Sequence, residues 1–106
     1  MTGPAAESGP ADDAVTVAEN PDASRYEITV AGRLAGFAEY RRRGTRLVFT
    51  HTEVSPEFEG RGLGGRLVGA ALDAARAAGE TVVPRCPFVA AYIDRHPQYA
   101  GLVAPD

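Results

Sequence analysis

Lysine and tryptophan are absent from the 106-residue chain, and cysteine and methionine each occur once. One cysteine, Cys86, cannot close an internal disulfide, which excludes a disulfide-stapled fold and leaves a cytoplasmic location as the expectation. No apolar run approaches the roughly 20 residues that a membrane-spanning helix needs. The first residues also lack the charged-then-apolar layout of a secretory signal, so no membrane partner is expected. Basic charge is scarce as well: eleven arginines face fourteen acids, for a formal net charge of −3. That balance argues against a general nucleic-acid-binding surface. His51, Cys86 and His96 have no recognisable ligand spacing, so no metal site is expected.

What is present is an ordinary globular composition, 44% hydrophobic and 24% charged, in a length that suits one domain. Met1 to Asp13 is rich in proline, glycine, alanine, serine and acids without an apolar period. It reads as a disordered leader to a single domain over residues 14–106. From Ala14 onward short strands follow one another. Ala14 to Ala18 alternates weakly, Asn20 to Ser24 is a turn, and Arg25 to Val30 alternates cleanly with Tyr26, Ile28 and Val30 on one face. Ala31-Gly32 turns the chain into a strand over Arg33 to Arg43, and Gly44-Thr45 turns it again into Arg46 to Val54. The period then changes. Leu63, Leu67, Ala71, Ala74, Ala75 and Ala78 recur at helical spacing, with Gly79 as a stop signal. Thr81 to Pro84 is a short buried strand, and Phe88 to Arg95 is a second helix ended by His96-Pro97. The fold class is therefore α/β (α+β): a mostly antiparallel sheet of about five strands with two main helices, in the order ββββ-α-β-α.

The most informative stretch joins the fourth strand to the first helix: Val54-Ser-Pro-Glu-Phe-Glu-Gly-Arg-Gly-Leu-Gly-Gly-Arg-Leu-Val68. Alternating glycines let main-chain N–H groups come close to a bulky anion. The unpaired donors of a first helical turn make a natural pyrophosphate cradle, to which Arg61 and Arg66 can add charge-assisted contacts. No Lys-Ser/Thr follows the glycines, so the stretch is not a P-loop. A dinucleotide fingerprint would need an early βαβ unit, which this chain does not have.

Placed after four strands, Glu59-Gly-Arg-Gly-Leu-Gly64 resembles the coenzyme A-binding motif R/Q-x-x-G-x-G/A of Gcn5-related N-acetyltransferases (GNAT). His51-Thr-Glu-Val54, Cys86-Pro-Phe-Val-Ala-Ala-Tyr92 and His96-Pro-x-Tyr99 resemble a minimal, stand-alone Gcn5-like branch of that family, over roughly Ala14 to Val103. The resemblance implies an enzyme that moves an acetyl group from acetyl-CoA to a primary amine. The coenzyme would enter where the fourth and fifth strands splay. Its pyrophosphate would lie on Glu59, Gly60, Arg61, Gly62, Leu63, Gly64, Gly65 and Arg66, and its pantetheine would pair with the backbone around Thr52 to Val54. Glu59 stands where the family has Arg or Gln, so it is expected to turn outward. The helical segment between the first two strands of larger relatives is missing, which leaves the acceptor side open. A CoA-binding module without catalysis is the alternative.

Four residues are candidates for the chemistry. His51 and Glu53 lie two apart on one strand and so share a face. That face continues Leu47 and Phe49, so the pair is either a base or a core histidine with a strand-end acid. The base of the histone-acetylating relatives falls near Val48, where there is no acid. Tyr92 resembles the family tyrosine that protonates the departing thiolate; otherwise it is an aromatic packing the last helix. Cys86 precedes a helix start at Pro87, beside Arg85, a setting that favours a reactive thiol. It lines the thioester pocket, accepts the acetyl group transiently, or is simply a small buried hydrophobe. A slightly acidic chain with an open acceptor side is compatible with a cationic peptide lysine or polyamine, and the protein is expected to be a monomer or weak dimer.

Overall fold

The structure, a computed structural model, describes residues 14–105; the leader expected at 1–13 lies outside them. Five strands form one sheet in the order β1-β2-β3-β4-β5. They are β1 (Val15–Asn20), β2 (Arg25–Val30), β3 (Arg33–Arg43), β4 (Arg46–Val54) and β5 (Thr81–Pro84). The first three junctions are antiparallel and the β4–β5 junction is parallel. The parallel step is made possible by a helical crossover, α1 (Leu63–Ala77), and β5 runs on into α2 (Pro87–Arg95). Fold class and element order agree with the reading of the sequence.

Local chemistry explains the connections. Asn20 to Ser24 forms a single 3-10 turn in which the Asn20 side chain accepts from the Ala23 N–H at 3.4 Å. Proline opens α2 one residue earlier than the periodicity indicated, where its missing N–H costs nothing. Gly79 has φ +73°, the left-handed stop expected just beyond α1.

The core lies between one face of the sheet and the two helices. The α1 stripe includes Leu63, Leu67, Ala71 and Ala75 as the spacing required, and also Val68 and Leu72. Ala78 instead caps the helix and is exposed. Against the stripe sit Ile28, Leu47, Phe49 and Val82 from the sheet and Val89 and Ile93 from α2. Full burial of side chains this size stabilises by roughly 1.5–3 kcal/mol each. The C-terminal 3-10 turn Pro97–Leu102 is pinned to α1 by the Tyr99 hydroxyl, which donates to Asp73 Oδ1 at 2.8 Å. Beyond it the Ala104 N–H donates to the Val82 carbonyl, which occupies part of the outer edge of β5.

Candidate active site

The site begins with an irregularity in β4. Tyr40 pairs with Phe49, but Glu39 pairs with His51, so Thr50 has no partner in β3. Its hydroxyl bonds instead to the Glu39 carbonyl at 3.4 Å. A side-chain period of two makes one extra residue invert everything after it. Thr52 and Val54 therefore carry on the core face of Phe49, while His51 and Glu53 turn to the opposite face. This corrects the expectation that His51 and Glu53 continue Leu47 and Phe49. Both are exposed, and His51 Nε2 meets Glu53 Oε2 at 2.8 Å. The His51 ring stands 6.2 Å from that of Phe37 on the same face.

The second element is a splay. β5 follows β4 only from Arg46↔Thr81 to Phe49↔Pro84. The Cys86 N–H still reaches the Phe49 carbonyl at 2.9 Å; Pro87 then swings the chain into α2. Beyond Phe49, β4 has no strand on its β5 side. Cys86 is 3% exposed at the vertex of the gap, and its sulfur lies 3.3 Å from the Thr52 hydroxyl. The gap thus carries a polar bridge between the two diverging elements.

The third element is the glycine turn. A 3-10 turn at Pro56–Phe58 leads to Gly60 and Gly62, with φ of +84° and +73°. Gly62 is the N-cap of α1 and has no side chain to satisfy the first-turn donors, so the N–H groups of the first helical turn remain open to a ligand. Both positions demand glycine for backbone reasons. Gly64 demands it for space, since a Cβ there would stand 2.7 Å from Phe88 Cζ.

These three elements enclose a cavity of about 370 Å³. Of the coenzyme-loop candidates, Thr52, Val54, Glu59, Gly60, Gly62, Leu63, Gly64 and Gly65 line it. Glu59 is exposed and is one of the residues that line the cavity. Arg61 and Arg66 are exposed and do not line it; the Arg61 guanidinium lies 5.4 Å from the centre of the Phe58 ring. Phe58 and Phe88 line the cavity and were missed. Phe58 had a weak signal as the one apolar side chain between Pro56 and Gly60, and Phe88 as the i−4 neighbour of Tyr92.

Tyr92 does not line the cavity. Its ring packs along α1, with a Gly69 Cβ position only 2.6 Å from the hydroxyl, and stacks on His96 at 3.9 Å. His96 Nδ1 bonds to the Tyr92 carbonyl at 2.8 Å. Glycines at 64, 65 and 69 let the α2 aromatics lie directly on α1, so the glycine-rich helix start serves interhelical packing as well as the cavity. Among the described residues no three His, Cys, Asp or Glu side chains gather closely enough to hold a metal ion. No helix among them is long and apolar enough to cross a membrane.

Residues 25–102 of the chain match the family model for GCN5-related N-acetyl-transferases. The chain belongs to that family. Its fold is shared with a GCN5-like protein of Staphylococcus aureus whose structure was solved by NMR in solution, at TM-score 0.64 and 19% identity, over 86% of this chain and 89% of that one. It is also similar to the ribosomal-protein-S18-alanine N-acetyltransferase of Escherichia coli, at TM-score 0.54 and 21% identity. That match takes in 70% of this chain and only 50% of the larger enzyme. No curated protein matches the sequence. Membership fixes the type of domain, an N-acetyltransferase built on a minimal sheet.

Proposed function

We propose that this GNAT domain transfers an acetyl group from acetyl-CoA directly to a primary amine, in a ternary complex. The observation that carries the reading is the cavity between the splayed strands, which ends on the open N–H donors of α1. Those donors, on Leu63, Gly64 and Gly65, bind the pyrophosphate, with the partial positive charge of the helix start assisting. The unpaired β4 edge from Thr52 to Val54 holds the pantetheine arm by main-chain hydrogen bonds. Phe58 and Phe88 supply apolar walls and keep water from the thioester.

The far face supplies the acceptor side. His51, oriented by Glu53, takes a proton from the incoming ammonium or amine; the nitrogen lone pair then bonds to the thioester carbonyl carbon. The carbon–sulfur bond breaks and its electron pair leaves with sulfur as the CoA thiolate, which takes up the second proton that an ammonium nitrogen sheds on becoming the amide. Cys86, held against Thr52, lines the path of the thioester rather than carrying the acetyl group. With its hydroxyl against Gly69, Tyr92 acts through helix packing and is given no proton to move.

Thermal unfolding with acetyl-CoA, CoA, NAD and ATP at equal concentration is the test of the donor site. Free ligand at a hundred times its Kd adds about 2.7 kcal/mol, a shift of several degrees in a domain this size. A shift with the two CoA species alone supports the reading, and no shift with either refutes it. Thiol release with a panel of amines then separates an enzyme from a CoA-binding module without catalysis. If Cys86 were an acetyl carrier, acetyl-CoA alone would add one acetyl mass that Cys86→Ser abolishes; the absence of lysine keeps that measurement clean.

A further inference from the structure

The sheet face turned away from the helices carries a second hollow, of about 350 Å³, lined by Arg41, Arg43, Arg46 and Arg85 around Val48, Val83 and Thr50. Val48 and Val83 are 7% and 4% exposed, yet they stand outside the core cluster beneath the helices. Arginine stems lying over apolar surface while their heads reach water account for this burial. No acidic side chain lines the hollow. The side chains of Arg41, Arg43 and Arg46 make no ion pair or hydrogen bond with any described residue. Three other arginines are paired with acids: Arg25 with Glu27, Arg33 with Glu57, and Arg42 with Glu19 and Glu80. A protein with net charge −3 that leaves three guanidiniums unpaired around one hollow has a local field opposite to its overall one.

Position gives the hollow its meaning. Val48 and Val83 form the second-last rung of the β4–β5 ladder, one residue before the splay. Thr50, which lines the hollow, is the bulge residue immediately before His51. The hollow therefore adjoins the vertex where the thioester would lie, on the face that carries the His51–Glu53 pair. We infer that the acetyl acceptor is a small amine carrying a carboxylate or phosphate group, which Arg41, Arg43 and Arg46 hold while its nitrogen meets His51. The inference rests on the acetyltransferase reading above and replaces the cationic acceptor that overall charge favours. Guanidinium forks match carboxylate and phosphate oxygens in pairs. The hollow is near the lower end of ligand-pocket volumes, which favours a small acceptor over a polymer. The bond changes are those of the direct transfer, with the anion acting only in binding.

Matched acceptors test it: O-phosphoethanolamine against ethanolamine, and β-alanine against propylamine, with saturating acetyl-CoA and thiol release as the readout. The anionic member of each pair should have the higher kcat/KM by about tenfold or more, the size of one or two charge-assisted hydrogen bonds. The double substitution R43Q/R46Q should erase that advantage through KM, while ethanolamine turnover and acetyl-CoA affinity stay within about twofold of the parent protein. Equal rates within each pair, or an equal loss on ethanolamine in the double variant, would overturn the inference. Calorimetric titration with O-phosphoethanolamine decides the matter if no amine turns over. Binding tighter than ethanolamine that R43Q/R46Q removes upholds the anion site, and its absence sinks it. Binding of a short oligonucleotide in place of the small anions also overturns it. Failure of acetyl-CoA to bind refutes the donor reading instead, and the same titration still decides the hollow.

Discussion

The two ends of β4 show how one strand can serve a core and still present an open edge. From Arg46 to Phe49 it is paired on both edges, and Leu47, Val48 and Phe49 are all buried. From His51 to Val54 it is paired on one edge only, and no residue is fully buried. A single inserted residue separates the two regimes, together with the proline at which β5 becomes α2. The paired end contributes stability through packing, and the open end contributes unsatisfied main-chain groups and two usable faces. A strand of uniform pairing would have buried the first function's residues and left no edge for the second.

The contrast can be broken at the paired end with the largest effect. Phe49→Ala removes a ring that is 1% exposed, stands 6.4 Å from Tyr26 and 6.2 Å from Tyr40, and sits at the last rung before the splay. The expected loss is about 3–5 kcal/mol in urea unfolding, enough to threaten a domain this small. At the open end the corresponding change should cost activity and spare the fold. His51→Ala is expected to lower kcat by about 10²–10⁴, the usual weight of a general base, with a urea midpoint near the parent's. An unchanged kcat would show that the far face takes no part in proton transfer.

Smaller changes sharpen the comparison. Gly64→Ala puts a methyl group against the Phe88 ring, so that ring, which lines the cavity, must shift. Acetyl-CoA affinity should fall by about tenfold in calorimetry. Stability should change by less than about 1 kcal/mol, because the gain in helix propensity offsets part of the clash. The smallest effect belongs to Tyr99, far from the site. Burial, and then its hydrogen bond to Asp73, push its phenol up to about 12. The folded protein holds the neutral phenol while the unfolded chain ionises near 10. That stabilisation is thus complete below pH 10 and is lost as the pH rises from 10 to about 12. Tyr99→Phe should cost about 1 kcal/mol at neutral pH and flatten the alkaline decline in thermal unfolding. Burial also raises Tyr26 and Tyr40, so part of the decline remains.

Much of the fold was legible because local rules agreed with one another. Alternation of Tyr26, Ile28 and Val30 marked β2, and the leucine and alanine spacing marked α1. Gly79 and His96-Pro97 marked the ends of the helices. The glycine turn was legible too, since positive φ at 60 and 62 and close approach at 64 leave few choices but glycine. The face of His51 was not. The bulge at Thr50 falls in a run of strand-forming residues without glycine or proline, so nothing local distinguishes it from regular pairing. Its cause is the register that β3 imposes, a contact between residues about eleven positions apart. Phe88 and Tyr92 were similarly ambiguous. One helix cannot reveal that its aromatics will lie on glycines of another.

By itself, then, the sequence determined the elements, their order, the glycine turn and the family to which the chain belongs, because those depend on short-range periodicity and backbone sterics. Tertiary structure alone decided which face of β4 each polar side chain takes, where β4 and β5 part, and which arginines gather around Val48 and Val83. Those outcomes depend on pairing between distant segments, where one residue of register exchanges inside for outside.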